Sequence, residues 1–138
     1  MTEPVQVLLH NAETGTMAAK LGDAFPGISV AECNSYDALP DMVAEFKPDI
    51  VYSVRFVGGP GFPADALVAT GGPRWISVGG AGVDHLGRWD SGVTTVTNSA
   101  GVAADMMAEY VMGGFLHFTL DVPGLQRDKA HRVWNLRT

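Results

Sequence analysis

Apolar residues in this chain come in short blocks separated by polar turns. Val5 to Leu9 is continuous and bounded by Pro4 and His10-Asn11, which predicts a buried strand. Met17, Leu21, Ala24 and Phe25 then fall at helical spacing, up to Pro26-Gly27. Ile28 to Ala31 predicts a second strand. Leu39, Met42, Val43 and Phe46 repeat at i, i+3, i+4 and i+7, an amphipathic helix that must stop before Pro48. Asp49 to Val54 reads as a third strand, followed by the Gly58-Gly59-Pro60-Gly61 loop. A short helix over Ala64 to Ala69 and strands at Trp75 to Val78 and Thr94 to Thr97 complete the first hundred residues.

Strands alternating with helices predict a parallel sheet covered on both faces. The expected fold is therefore α/β, a flavodoxin-like doubly wound five-stranded parallel sheet over residues 1–100. In such sheets ligands sit at the carboxyl ends of the strands. Residues 101–138 follow a different pattern. From Gly101 to Leu120 nearly every position is apolar or small, which predicts a long apolar C-terminal helix. A helix apolar all round must be buried on more than one side, and one small sheet covers only one. A homodimer through residues 101–138 is the expected remedy, since Tyr110, Phe115 and Phe118 otherwise form a large exposed patch. Exchange of the C-terminal helices between subunits is one form of it.

Composition narrows the function classes. The chain has 138 residues, enough for one domain with a real core, and 46% hydrophobic with 17% charged residues is ordinary for a globular protein. A net charge of −6 with nine basic residues argues against a nucleic-acid partner. Arg127, Lys129, His131, Arg132 and Arg137 read as a solvated helix face. The single cysteine, Cys33, excludes an intrachain disulfide and suits a reducing compartment. Thr2-Glu3-Pro4 does not open a signal peptide, and Met106 to Leu120 is too short and too interrupted by Glu109 and His117 to span a bilayer. A cytoplasmic protein without membrane partner is expected.

Two small-residue loops stand out. Gly79-Gly80-Ala81-Gly82 lacks both the Lys-Ser/Thr of a P-loop and the full dinucleotide glycine spacing, but exposed backbone N–H groups there suit a small carboxylate. Asn98-Ser99-Ala100-Gly101 opens the C-terminal helix. Arg55, at the end of the third strand, is placed to meet a carboxylate, with a surface ion pair as the equal alternative. Asp84 and His85 are adjacent, so they point apart on a helix, and Asp84 suits a helix start. His10 at a strand end reads as a solvated loop histidine, Glu109 as structural, and Cys33 as core. Glu13-Thr14-Gly15-Thr16 resembles a hydroxyl-rich phosphate loop, although a threonine N-cap explains it with less. A phospho-receiver is excluded because His10-Asn11, Arg55 and Asn98 stand where its acids and lysine belong.

Taken together, Gly80-Ala81-Gly82-Val83-Asp84-His85-Leu86 and Val96-Thr97-Asn98-Ser99-Ala100-Gly101-Val102 resemble the D-isomer-specific 2-hydroxyacid dehydrogenases, particularly their glyoxylate/hydroxypyruvate reductase branch. Asp105, Ala108-Glu109 and the segment from Arg127 to Trp134 continue the likeness, which covers Trp75 to Thr138. The resemblance implies an NAD- or NADP-dependent oxidoreductase acting on a small 2-keto or 2-hydroxy acid. It implies that the N–H groups of Ala81 and Gly82 bind the substrate carboxylate, with Gly80 shaping the turn, and a cofactor-facing position for Ala104, where many relatives carry threonine; Arg55 joins the substrate-binding candidates from its strand-end position alone. The family's Rossmann domain and its catalytic arginine, acid and histidine have no counterpart before Thr138. The expectation is a truncated substrate-binding domain with no catalytic residue, no cofactor bound by this chain alone, and no turnover by itself. A stand-alone flavodoxin-like module that binds flavin or a small molecule is the alternative.

Overall fold

Five β-branched or apolar stretches become strands, all parallel. They are β1 (Val5–His10), β2 (Ile28–Cys33), β3 (Ile50–Ser53), β4 (Trp75–Val78) and β5 (Thr95–Thr97). The computed structural model describes residues 3–56 and 61–134; Gly58, Gly59 and Pro60 of the third loop and Arg137 lie outside them. Strand order is β2-β1-β3-β4-β5. The register aligns His10 with Cys33 and with Ser53, and Ser53 with Val78.

Among the described residues the helices are α1 (Gly15–Ala24), α2 (Leu39–Phe46), α3 (Asp65–Val68), α4 (Ala104–Thr119) and α5 (Val122–His131), with one 3-10 turn at Asp84–Leu86. α2 ends as its sequence demands: Lys47 adopts a left-handed conformation (φ 50°) immediately before Pro48. Thr14 does hold the N-cap position of α1, but its hydroxyl donates to the Glu32 carboxylate instead of capping the helix. Its carbonyl takes the Met17 and Ala18 amides.

Alternation of side chains decides where the core forms. Leu8, Val51 and Ile76 share one register line and one face. Together with Cys33 and Val78 they pack against Leu39 of α2, Leu67 of α3 and Leu86 of the 3-10 turn. Each of these leucines is fully buried or nearly so, contributing about 2 kcal/mol apiece from apolar burial. Cys33 lies in this core as expected. α1 packs on β2.

The chain divides into two compact units, residues 1–100 and 101–138. In the second, the helix expected from Gly101 onward begins three residues later. Gly101 has φ +85°, so residues 100–103 form a turn and helical geometry starts only at Ala104. Asp121 caps α5 by accepting from the Gly124 amide. Within this unit α5 packs on α4 but leaves Met106, Met107, Tyr110, Val111, Phe115 and Phe118 exposed, Tyr110 to 84%. Arg127, Lys129, His131 and Arg132 are exposed, as read from the sequence. No helix among the described residues is long and apolar enough to cross a membrane.

One glycine of the first loop is required by space. A Cβ on Gly79 would lie 2.5 Å from Tyr52 Oη and 2.6 Å from Val54 Cγ2, whereas one on Gly80 meets nothing. Gly79→Ala should cost about 1–3 kcal/mol in urea unfolding, the scale of overpacking a filled site, and Gly80→Ala should be close to neutral.

Candidate functional site

Because the strands are parallel, the segments leaving β1, β3, β4 and β5 emerge along one edge. There the two small-residue loops are tied together. Gly79 donates its N–H to the Ser53 carbonyl, continuing the sheet pattern by one residue. The Ser99 amide donates to the Gly80 carbonyl at 3.0 Å, and the Asn98 side-chain amide donates to the Ala81 carbonyl at 2.7 Å. Ser99 Oγ donates to the Val78 carbonyl at 3.2 Å. The second loop therefore takes up the carbonyls of the first.

The amides are left over. Among the described residues the N–H groups of Gly80, Ala81 and Gly82 have no acceptor, and all three residues are exposed. Successive free amides held in a fixed loop form a concave donor set for a small anion. Arg55 leaves the end of β3 exposed, and its positive charge is near enough to His85 to depress the imidazole's pKa. Burial is the larger cause of that depression, and Asp84 opposes it. The Arg55 charge is thus felt at His85, which sequence spacing alone did not establish. Asp84 also faces the loop: a Cβ on Gly82 would lie 3.6 Å from its Oδ2. Asp84 and His85 sit on a single 3-10 turn, with Gly87 closing it at φ +67°.

His10 departs from its expected place. It is the last residue of β1 and wholly buried, because register puts it on the same face as Leu8. Its Nδ1 is 2.9 Å from Ser53 Oγ, while Nε2 is buried with no partner among the described residues. The ring lies among Tyr36, Phe56 and Phe62, at centroid distances of 5.6, 4.8 and 5.9 Å. Tyr36 and Phe56 stack in parallel at 4.6 Å, and Tyr36 Oη accepts the Phe56 amide at 2.6 Å. Phe62 is edge-on to His85 at 4.6 Å. An aromatic wall thus joins the two histidines. Its sequence signal was an aromatic three residues beyond the ends of β2 and β3.

Other candidates lie elsewhere. Glu109 is exposed on α4, and Ala104, the first residue of that helix, is exposed in the second unit. At the start of α1, the hollow lined by Thr14, Gly15, Thr16 and Lys20 also contains Glu13, and Thr14 is already engaged by Glu32. Two carboxylates there oppose a phosphate. Among the described residues no cluster of three or more His, Cys, Asp or Glu side chains is arranged to hold a metal. The chain matches no protein-family model, no curated protein and no solved structure.

Desolvation lowers the His10 pKa from 6.5 to about 4. Between those pH values the unfolded chain binds a proton that the folded one refuses. The stability from keeping His10 neutral is complete above pH 6.5 and is lost as pH falls to about 4. The loss is on the order of 3 kcal/mol. Urea midpoints measured from pH 7.5 to 4 should fall along this window, and His10→Phe should flatten the slope.

Proposed function

We propose that the chain is the substrate-binding part of an NAD- or NADP-dependent 2-hydroxyacid dehydrogenase of the glyoxylate/hydroxypyruvate reductase type. In this reading residues 1–100 are a flavodoxin-like, doubly wound domain and the apolar α4 belongs to an interface. The ligand is a small 2-keto or 2-hydroxy acid. Its carboxylate is received by the Ala81 and Gly82 amides, with Gly80 widening the turn and Arg55 supplying the countercharge. One observation carries the reading: three unclaimed amides in a loop whose carbonyls are already fastened by Asn98 and Ser99.

Substrate positioning is one part of such catalysis, and the hydride donor must be brought beside it. Ala104 is the position assigned to the cofactor side. No residue of this chain is assigned a catalytic role in this reading. The purified 138-residue chain should bind glyoxylate and show no NADH- or NADPH-dependent turnover. Steady turnover with either cofactor overturns the reading.

Calorimetric titration with glyoxylate tests the site. Gly82→Leu should abolish binding by filling the approach to the amides, and Arg55→Ala should weaken it about tenfold or more through the lost charge-assisted contact. Asp84→Asn should strengthen binding, because Asp84 is the acid that opposes an anion there. Binding unchanged by all three substitutions places the ligand elsewhere. A yellow preparation that releases flavin on heating would instead favour the flavodoxin-like binding module.

The exposed side chains of α4 support a homodimer through residues 101–138. Light scattering at micromolar concentration should give twice the chain mass, 14.6 kDa, and Phe115→Glu with Phe118→Glu should return it to a monomer.

A further inference from the structure

Half of one sheet face has no cover. In the order β2-β1-β3-β4-β5 the step from β1 to β2 runs one way, and the steps to β3, β4 and β5 run the other. Right-handed crossovers therefore put α1 on one face and α2, α3 and the 3-10 turn on the other. α1 packs on β2, on the face of the buried Val7 and Leu9. Among the described residues of 1–100 no helix follows it over β3, β4 and β5 on that side. Burial agrees: Val51, Ile76 and Val78 are buried, whereas Trp75, Thr95 and Thr97, which point the opposite way from the same sheet, are exposed. Trp75 is 41% exposed, and its Nε1 donates to Thr97 Oγ1, so the indole reaches across to β5. Parallel sheets occur almost only with both faces covered, and this one is bare over three strands.

α4 carries the converse surface. With about 3.6 residues per turn, Met107, Tyr110, Val111, Gly114 and Phe118 fall in one stripe, and Asp105 and Glu109 fall on the opposite side. The four side chains of the stripe are mostly in water, from 64% exposed at Val111 to 84% at Tyr110. A Cβ on Gly114 would meet nothing within 4 Å. The middle of the stripe is thus open down to the backbone, and a flat surface can approach it closely.

Resting on the homodimer reading, we infer that the α4 stripe of each copy seats on the open sheet face of the other, over β3, β4 and β5. A two-fold axis makes the two contacts identical. Together they bury on the order of 1,600 Å², the size of a standard stable interface. α4 packed only on its partner's α4 would bury about half as much and leave both sheet faces bare. Ile50, Tyr52 and Trp75 supply the apolar floor, with Ser77, Thr95 and Thr97 short enough to let the helix down onto it. Asp105 and Glu109 stay in water on the far side of the helix, so no charge is buried.

The test mixes two chains, Ser77→Cys on the sheet face and Val111→Cys in the stripe, with a short bismaleimide linker. The native Cys33 is buried in the core and stays out of the reaction. A cross-linked pair of twice the 14.6 kDa chain mass should form in the mixture and with neither chain alone. Thr95→Arg should raise the dissociation constant of the dimer about tenfold or more, because α4 would bury a guanidinium without a partner. Its circular dichroism should stay that of the wild type, since Thr95 is exposed in the single chain. A wild-type dimer whose mixture yields no mixed pair, or whose Val111→Cys chains link to one another, overturns this inference and leaves the homodimer standing. A wild-type chain that scatters light as a monomer overturns both.

Discussion

A parallel sheet delivers its carboxyl ends to one edge, and the candidate site of this chain follows from that constraint. Successive strands can run the same way only if each connection crosses back over a face of the sheet. The core formed by Leu8, Val51 and Ile76 with Leu39, Leu67 and Leu86 is what holds those crossings down. Once it forms, the loops after β4 and β5 lie side by side. Their hydrogen bonds then use the carbonyls of Gly80 and Ala81 and leave the amides facing outward.

The same register that builds the core also places a histidine in it. His10 occupies the position after Leu8 on the core face, so it is buried with Ser53 as its neighbour on β3. A histidine this dry is held neutral by its burial. The site therefore has two different surfaces. One is a rim of backbone donors with a nearby guanidinium, suited to an anion. The other is an aromatic wall around the buried, neutral His10.

The two units meet opposite demands. Residues 1–100 bury a continuous core, while α4 leaves aromatic and methionine side chains exposed. No intrinsic helix preference requires such a surface; residues with strong apolar transfer energies stay in water only until something covers them. That imbalance is why a self-association reading accompanies the proposed carboxylate site.

Much of the fold was legible in the sequence. Short continuous apolar blocks between turn residues located the strands, and a 3.6-residue repeat located the first two helices, because each pattern is an imprint of burial. Pro48 and the glycines bounded the elements for local steric reasons. The start of α4 was misplaced by three residues, since nothing in the pattern announces that Gly101 takes positive φ. The glycine loop was visible as a loop, but the residue that cannot carry a Cβ is Gly79, and that depends on Tyr52 from another strand. The burial of His10, its contact with Tyr36, Phe56 and Phe62, and the pairing of Asn98 with Ala81 were equally out of reach. Each joins residues distant in the chain through strand register and crossover geometry. Local physics wrote the elements into the sequence; which side chains meet at the sheet edge was decided only when the elements packed.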